Sequence, residues 1–103
     1  MSVPQQSSVS IGLDPLIHED ARLRIIATLN ECDAAGFTFL LGATKLTRGN
    51  LSAHMSKLSG AGYVAEKKKF VNRMPYTEYR LTTKGGAAYK KYLSDWKKIT
   101  SRK

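Results

Sequence analysis

Cysteine is almost absent. Cys32 stands alone among 103 residues, so no intramolecular disulfide can form, the pattern of a chain kept in a reducing compartment. Cys32 closes an apolar helical pattern, which predicts a small buried hydrophobe, with a redox-sensing thiol as the alternative. Histidine is scarce too: His18 and His54 lie 36 residues apart on different predicted helices, with no Cys, Asp or Glu at metal-ligand spacing. No apolar run approaches the roughly 18–20 residues of a membrane span. Met1 to Leu13 has neither the basic start nor the apolar stretch of a secretory signal. There is no G-x-S-x-G elbow and no P-loop, and Gly60-x-Gly62 ends a predicted helix instead of following a strand. The expectation is a cytoplasmic protein, not an enzyme, with no catalytic residue, metal, cofactor or membrane segment.

Acidic residues are few as well: eight Asp+Glu against seventeen Lys+Arg leave a net charge of +9. With 42% hydrophobic and 24% charged residues, the chain reads as one globular domain with a modest core. The charge is uneven. Residues 1–44 sum to −3 and residues 45–103 to +12, so one surface is built to meet an anion and another is not. Nucleic acid is the leading partner and an anionic membrane the rival.

Residues 1–13, polar and Ser/Gln-rich with Pro4 and Gly12 as breakers, read as a flexible arm whose Val9, Ile11 and Leu13 are candidates to pack on a partner. The domain is expected over 14–100. Asp14-Pro15 reads as an N-cap and first helical position, and Ile17, Ala21, Ile25, Ile26 and Leu29 recur at helical spacing up to Cys32–Asp33. Phe37 to Leu46 predicts a second helix in which Gly42 permits a close crossing. Thr47 predicts the cap of a third, about 48–61, with Leu51, Met55 and Leu58 on one face and Gly62 as its stop. The period then changes. Tyr63 to Val71 and Tyr76 to Thr82 read as strands joined by Asn72-Arg73-Met74-Pro75, a wing of about 64–82. Thr83 is the expected cap of a last helix, 84–100. Three helices, a two-stranded basic hairpin and a final helix describe a mainly helical α+β fold, the winged helix-turn-helix.

In such a fold the second helix of the pair enters the major groove. At about 100° per residue, the side away from Leu51, Met55 and Leu58 carries Gly49, Ala53, Ser56 and Gly60. Ser52 and Lys57 lie beside it, and Arg48 and Asn50 on the shoulders. Small residues permit close approach, Arg can grip guanine and Asn adenine; a plain solvated face is the alternative. His54 falls about 60° from the apolar axis, which predicts a half-buried packing residue in preference to a base or phosphate contact. His18 reads as a surface residue without a partner. Lys67 and Lys69 share a side of their strand, Lys68 points away, and Arg73 sits at the turn. That arrangement suits phosphates or a minor groove, or else simply protects a solvated sheet edge. Tyr89, Tyr92, Leu93 and Trp96 form a stripe on the last helix that completes the core or meets a second copy.

The run Thr47-Arg48-Gly49-Asn50-Leu51-Ser52-Ala53-His54-Met55, then Leu58 to Val64, is similar to the recognition segment of small winged-helix transcriptional regulators. The run from Arg73 to Gly85 resembles their wing and the entry to their last helix. Over about Asp14 to Trp96 the chain resembles the multiple-antibiotic-resistance (MarR) and arsenic-responsive (ArsR) regulators. It is shorter than typical MarR proteins and lacks the paired metal-binding cysteines of the arsenic type, so no effector is assigned. The resemblance implies a homodimeric, sequence-specific, double-stranded-DNA-binding regulator. In it Thr47, Arg48, Asn50, Ser52, Ala53, Ser56, Lys57, Lys67, Lys69 and Arg73 face DNA, and the terminal helices dimerise through Tyr89, Tyr92, Leu93 and Trp96. A non-specific architectural DNA-binding protein and a winged-helix protein-interaction module are the alternatives.

Overall fold

The structure, a computed structural model, describes residues 13–101. Most of the expected arm, with Val9 and Ile11, lies outside the described residues; Leu13 packs against the core. The elements are α1 (Asp20–Asn30), β1 (Ala35–Gly36), α2 (Phe37–Thr44), α3 (Arg48–Gly60), β2 (Val64–Val71), β3 (Met74–Leu81) and α4 (Thr83–Thr100). The antiparallel sheet has the order β1-β3-β2. This is the winged helix-turn-helix architecture that the sequence predicts.

The first helix starts later than Asp14-Pro15 suggests. Asp14 closes a separate turn, accepting from the N–H groups of Ile17 and His18 through its carbonyl and from that of Leu16 through its side chain. The chain then reopens at Glu19, which is extended (φ −155°), and the Glu19 carboxylate accepts from Arg22 N at 2.8 Å as the true cap. Helix α2 ends at Thr44, two residues before Leu46, because Lys45 turns left-handed at φ 62° and its N–H returns to the Leu41 carbonyl. Gly42 makes no close crossing: a Cβ there meets nothing within 4 Å. Helix α3 keeps its expected start, with Thr47 Oγ1 accepting from Asn50 N at 3.1 Å, and the chain leaves it through Gly62 at φ 83°.

The hairpin is tighter than the four-residue connection read from Asn72 to Pro75. Asn72 (φ 53°) and Arg73 (φ 66°) are both left-handed, the two-residue turn that matches strand twist. Met74 and Pro75 therefore belong to β3, paired with Val71 and Phe70. Strand β1 was absent from the expectation because two residues carry no period; Ala35 pairs with Tyr79 and Gly36 with Glu78. Thr82, not Thr83, caps α4, because it is the Thr82 hydroxyl that accepts from Gly85 N at 2.9 Å while donating to the Gly62 carbonyl.

The core gathers Ile17, Ile25, Ile26, Leu29, Leu40, Leu51 and Leu58, all at most 1% exposed, with Met55, Val64, Tyr79 and Tyr92. Burying each large aliphatic contributes about 1.5–3 kcal/mol. Cys32 is half-buried against this core. The core fixes the inner face of α3 and leaves its outer face to solvent.

Candidate nucleic-acid interface

Helix α3 displays the predicted residues together. Thr47, Arg48, Asn50, Ser52, Ala53, Ser56 and Lys57 are all exposed, while Leu51, Met55 and Leu58 are buried beneath them. Gly49 and Gly60 also lie open, each with nothing within 4 Å of an added Cβ, so the surface between the polar side chains is low. The helix carries no acidic residue. Arg48 is anchored as well as exposed: its guanidinium lies 5.7 Å from the centroid of Phe37 on α2, within cation–π range.

Two arginines from the acidic half set the angle of this helix, and charge counting overlooked both. Arg24 grips Asp20 with two nitrogens, at 2.6 and 3.3 Å, and donates to the Thr44 carbonyl at 2.6 Å. It thereby ties α1 to the corner where α2 turns into α3. Arg22 donates to the Leu16 carbonyl at 2.6 Å and, across helices, to His54 Nδ1 at 3.1 Å. Because guanidinium only donates, His54 Nδ1 is the acceptor here. Glu19 lies 3.9 Å from both partners. His54 is the half-buried packing residue expected, and it is a tie between α1 and α3. The backbone N–H groups of Arg22 and Ala21, with the charge of the Arg22 guanidinium, hold the Glu19 carboxyl below its ordinary range.

Strand register sorts the wing cations. Glu66, Lys68 and Phe70 share one face with Val64; Lys67, Lys69 and Val71 share the other with Tyr76, Glu78 and Arg80. Lys67 and Lys69 thus act on one side and Lys68 on the opposite one. Lys69 is partly spent within the wing: its ammonium is 2.8 Å from Glu78, which Arg80 also approaches at 3.6 Å. Lys69, then Arg80 and Lys67, hold the Glu78 carboxyl low. Lys68 pairs with Glu66 at 3.4 Å. Arg73 occupies the tip, exposed. The structure also places Phe70 and Met74 at the tip, 75% and 65% exposed; the only sequence signal was large apolar residues beside the lysines and turn.

The wing root is locked to the rest of the domain. Tyr63 donates its hydroxyl to Asp14, and that bond, with burial and the nearby negative charge, pushes the phenol up to about 12. Lys84 donates to the Ala61 carbonyl at 2.9 Å.

The stripe on α4 divides. Tyr92 is buried, Tyr89 half-buried, and Leu93, Trp96 and Ile99 are 46%, 44% and 43% exposed. His18 has the partner its sequence context did not suggest: Nδ1 lies 2.9 Å from the Tyr92 hydroxyl, and the ring tilts against Tyr92 and Trp96 at 5.8 and 6.0 Å. An open groove of about 630 Å³ runs between these residues and Glu19, Asp20 and Leu23 at the head of α1. Among the described residues no cluster of His, Cys, Asp or Glu could hold a metal ion, and no helix is long and apolar enough to cross a membrane.

Residues 21–100 match the family described as winged helix DNA-binding domain. The uncharacterized protein MJ0432 of Methanocaldococcus jannaschii is 35% identical over 72 residues, which cover 70% of this chain and 78% of that one. Among solved structures, a transcriptional regulator homologue from Pyrococcus horikoshii superposes with a TM-score of 0.82 at 26% identity, over 95% of both chains. A putative MarR-family transcriptional regulator from Enterococcus faecalis superposes with a TM-score of 0.72 at 23% identity, over 98% of this chain and 92% of that one.

Proposed function

This chain belongs to the winged helix DNA-binding domain family, a family of regulators and not of enzymes, and from that premise we propose that it is a homodimeric transcription regulator reading a specific duplex sequence. The observation that carries the reading is α3: a core-anchored helix whose whole outer face is exposed, free of acids and set with Arg, Asn and Ser donors. In the major groove Arg48, Asn50, Ser52, Ala53 and Ser56 meet base edges, and Thr47 and Lys57 flank them. Lys67, Lys69 and Arg73 of the wing lie on the backbone or in the minor groove. The second copy packs on Tyr89, Leu93 and Trp96, of which Leu93 and Trp96 are still open to water, while Tyr92 of the same stripe is buried beneath them in the core. A two-fold pair sets half-sites about one helical turn, roughly 34 Å, apart.

The test is anisotropy titration of the protein's own upstream region against a shuffled duplex of equal length, at roughly 50 and 200 mM salt. A specific regulator holds the upstream duplex at the higher salt and releases the control. Asn50→Ala then relaxes discrimination by about 1–3 kcal/mol, whereas Arg73→Ala weakens all sequences alike and lowers the salt slope by about one. Equal affinities that collapse together identify an architectural protein instead, and no binding to any duplex at low salt identifies a protein-interaction module. Sedimentation of Leu93→Ser/Trp96→Ser gives a single 11.4 kDa chain where the wild type gives two.

A further inference from the structure

The far end of the wing is apolar in a way that neither the core nor edge protection explains. Phe70 is 75% exposed, Met74 65%, Val71 45% and Tyr76 40%, and none of them joins the hydrophobic core. The register pairs Phe70 with Pro75 on one face and Val71 with Met74 on the other. Apolar surface therefore wraps both faces of the last rung, and only Asn72 and Arg73 close it. An exposed apolar ribbon end is an aggregation hazard that sequences ordinarily remove. The same strand does remove it further back, with Lys67, Lys68 and Lys69, yet leaves the tip bare.

The charge around the tip identifies what covers it. Arg73 sits in the turn, and Lys69 and Lys68 stand one and two residues behind Phe70, roughly 3.3 Å per residue along the strand. An apolar end with cations set just behind it matches a duplex, whose base faces are flat and apolar and whose phosphates line the groove rims. It does not match an acidic protein surface, which gives the apolar end nothing to enter. Phe, Met and Pro are among the side chains that work as wedges between base steps.

We propose that the wing tip is such a wedge: Phe70 and Met74, on either side of Arg73, enter the minor groove, part a base step and bend the duplex. This rests on the DNA-binding reading given above and adds to it that the wing deforms the site as well as gripping phosphates. Sequence preference then extends to steps that part easily, TA and CA/TG, even where no side chain reads a base edge.

The experiment uses the full chain and a duplex of roughly 30 base pairs with a central TA step, labelled at both ends with a donor and an acceptor. Saturating protein is expected to raise energy transfer by the amount of a bend of tens of degrees. The F70S/M74S variant, altered only at exposed positions, is expected to bind about ten-fold more weakly with an unchanged salt slope and to leave the duplex straight. Binding by the wild type with no change in transfer overturns the wedge and leaves DNA binding intact, as does equal bending by the variant. A fall in the mass of the DNA-free protein on F70S/M74S substitution overturns it too, because the tip then meets another copy. Failure of the wild type to bind any duplex at low salt removes the DNA-binding reading itself, and the wedge with it.

Discussion

Two neighbouring glycines should respond to the same substitution with opposite signs. Gly85, in the first turn of α4, is buried, and a Cβ placed there lies 2.1 Å from the Tyr63 carbonyl oxygen and 3.0 Å from Leu81 Cδ1. An ordinary carbon–oxygen contact is about 3.3 Å, so roughly 1.2 Å must be found. The obstacle is backbone, and that oxygen is already held by Thr82 N at 3.0 Å. Overpacking of this kind costs about 1–3 kcal/mol, and the helix preference for Ala offsets up to about 1 kcal/mol of it. Gly85→Ala should therefore lose about 2 kcal/mol, a fall in Tm of roughly 8–16 °C for a domain of this size. At Gly86 the nearest atom to an added Cβ is Leu81 Cδ2 at 4.0 Å. There the methyl fits, and Gly86→Ala should gain about 0.5–1 kcal/mol through the lower entropy of the unfolded chain. Far-UV circular dichroism melts at one fixed protein concentration measure both. A Gly85→Ala melt within roughly 2 °C of wild type, or two shifts of the same sign, would refute the close approach of α4 to the wing root.

Four further predictions concern groups whose partners the structure names. The lowered Glu19 carboxyl contributes stability above its ordinary 4.5 that is lost as pH falls through the lower folded value; Glu19→Ala should cost about 0.5–1 kcal/mol at pH 7 and flatten the acid limb in urea titrations. Tyr63 runs the other way: its raised pKa of about 12 means stability complete below about 10 and lost as pH rises through the folded value. Tyr63→Phe should cost about 1–2 kcal/mol at pH 7 and remove the latest step of the tyrosinate absorbance titration. Arg24→Ala should destabilise by about 1 kcal/mol, because its bond to the Thr44 carbonyl is partly exposed. It should also weaken DNA binding, read by anisotropy, since that bond holds the corner before α3. Glu78→Gln releases Lys69 and should steepen the plot of log affinity against log salt by up to about 0.9, with the melt almost unchanged.

What was legible in the sequence is what repeats. Helices α1, α3 and α4 carry apolar residues at helical spacing, so packing and local preference agree on them, and the two long strands show as a loss of that spacing with only partial alternation. The same logic put Thr47 at the head of α3 and gathered Arg48, Asn50, Ser52 and Ser56 on its outer face. What failed had no period to read. Strand β1 is two residues whose identity as a strand depends on Tyr79 and Glu78 lying beside them. The cap at Glu19 depends on a break after the Asp14 turn, and glutamate is an uncommon cap. The hairpin turn was misread because Pro75 suggests a loop; it is tolerated in β3 opposite Phe70 at the far end of the ribbon. Arg22 and Arg24 were counted as charge when their work is geometric, donating to Leu16, His54 and Thr44 across the fold.

Formal charge overstates the field of the basic half and hides where it points. All three acids of residues 45–103 are paired within that half: Glu66 with Lys68, Glu78 with Lys69 and Arg80, and Asp95 with Lys91. They stand in the middle of the wing and on α4. None stands on α3 or in the turn at Asn72 and Arg73. The acids therefore take charge out of the wing stem and the last helix and leave it undiminished at the helix face and the tip, the two places proposed to meet a duplex. Glu19 and Asp20 meanwhile line the groove beside Tyr92 and Trp96, so the proposed dimer face is acidic along one wall. The two surfaces differ in sign, so a polyanion drawn to α3 and the wing tip is turned away from the α4 groove.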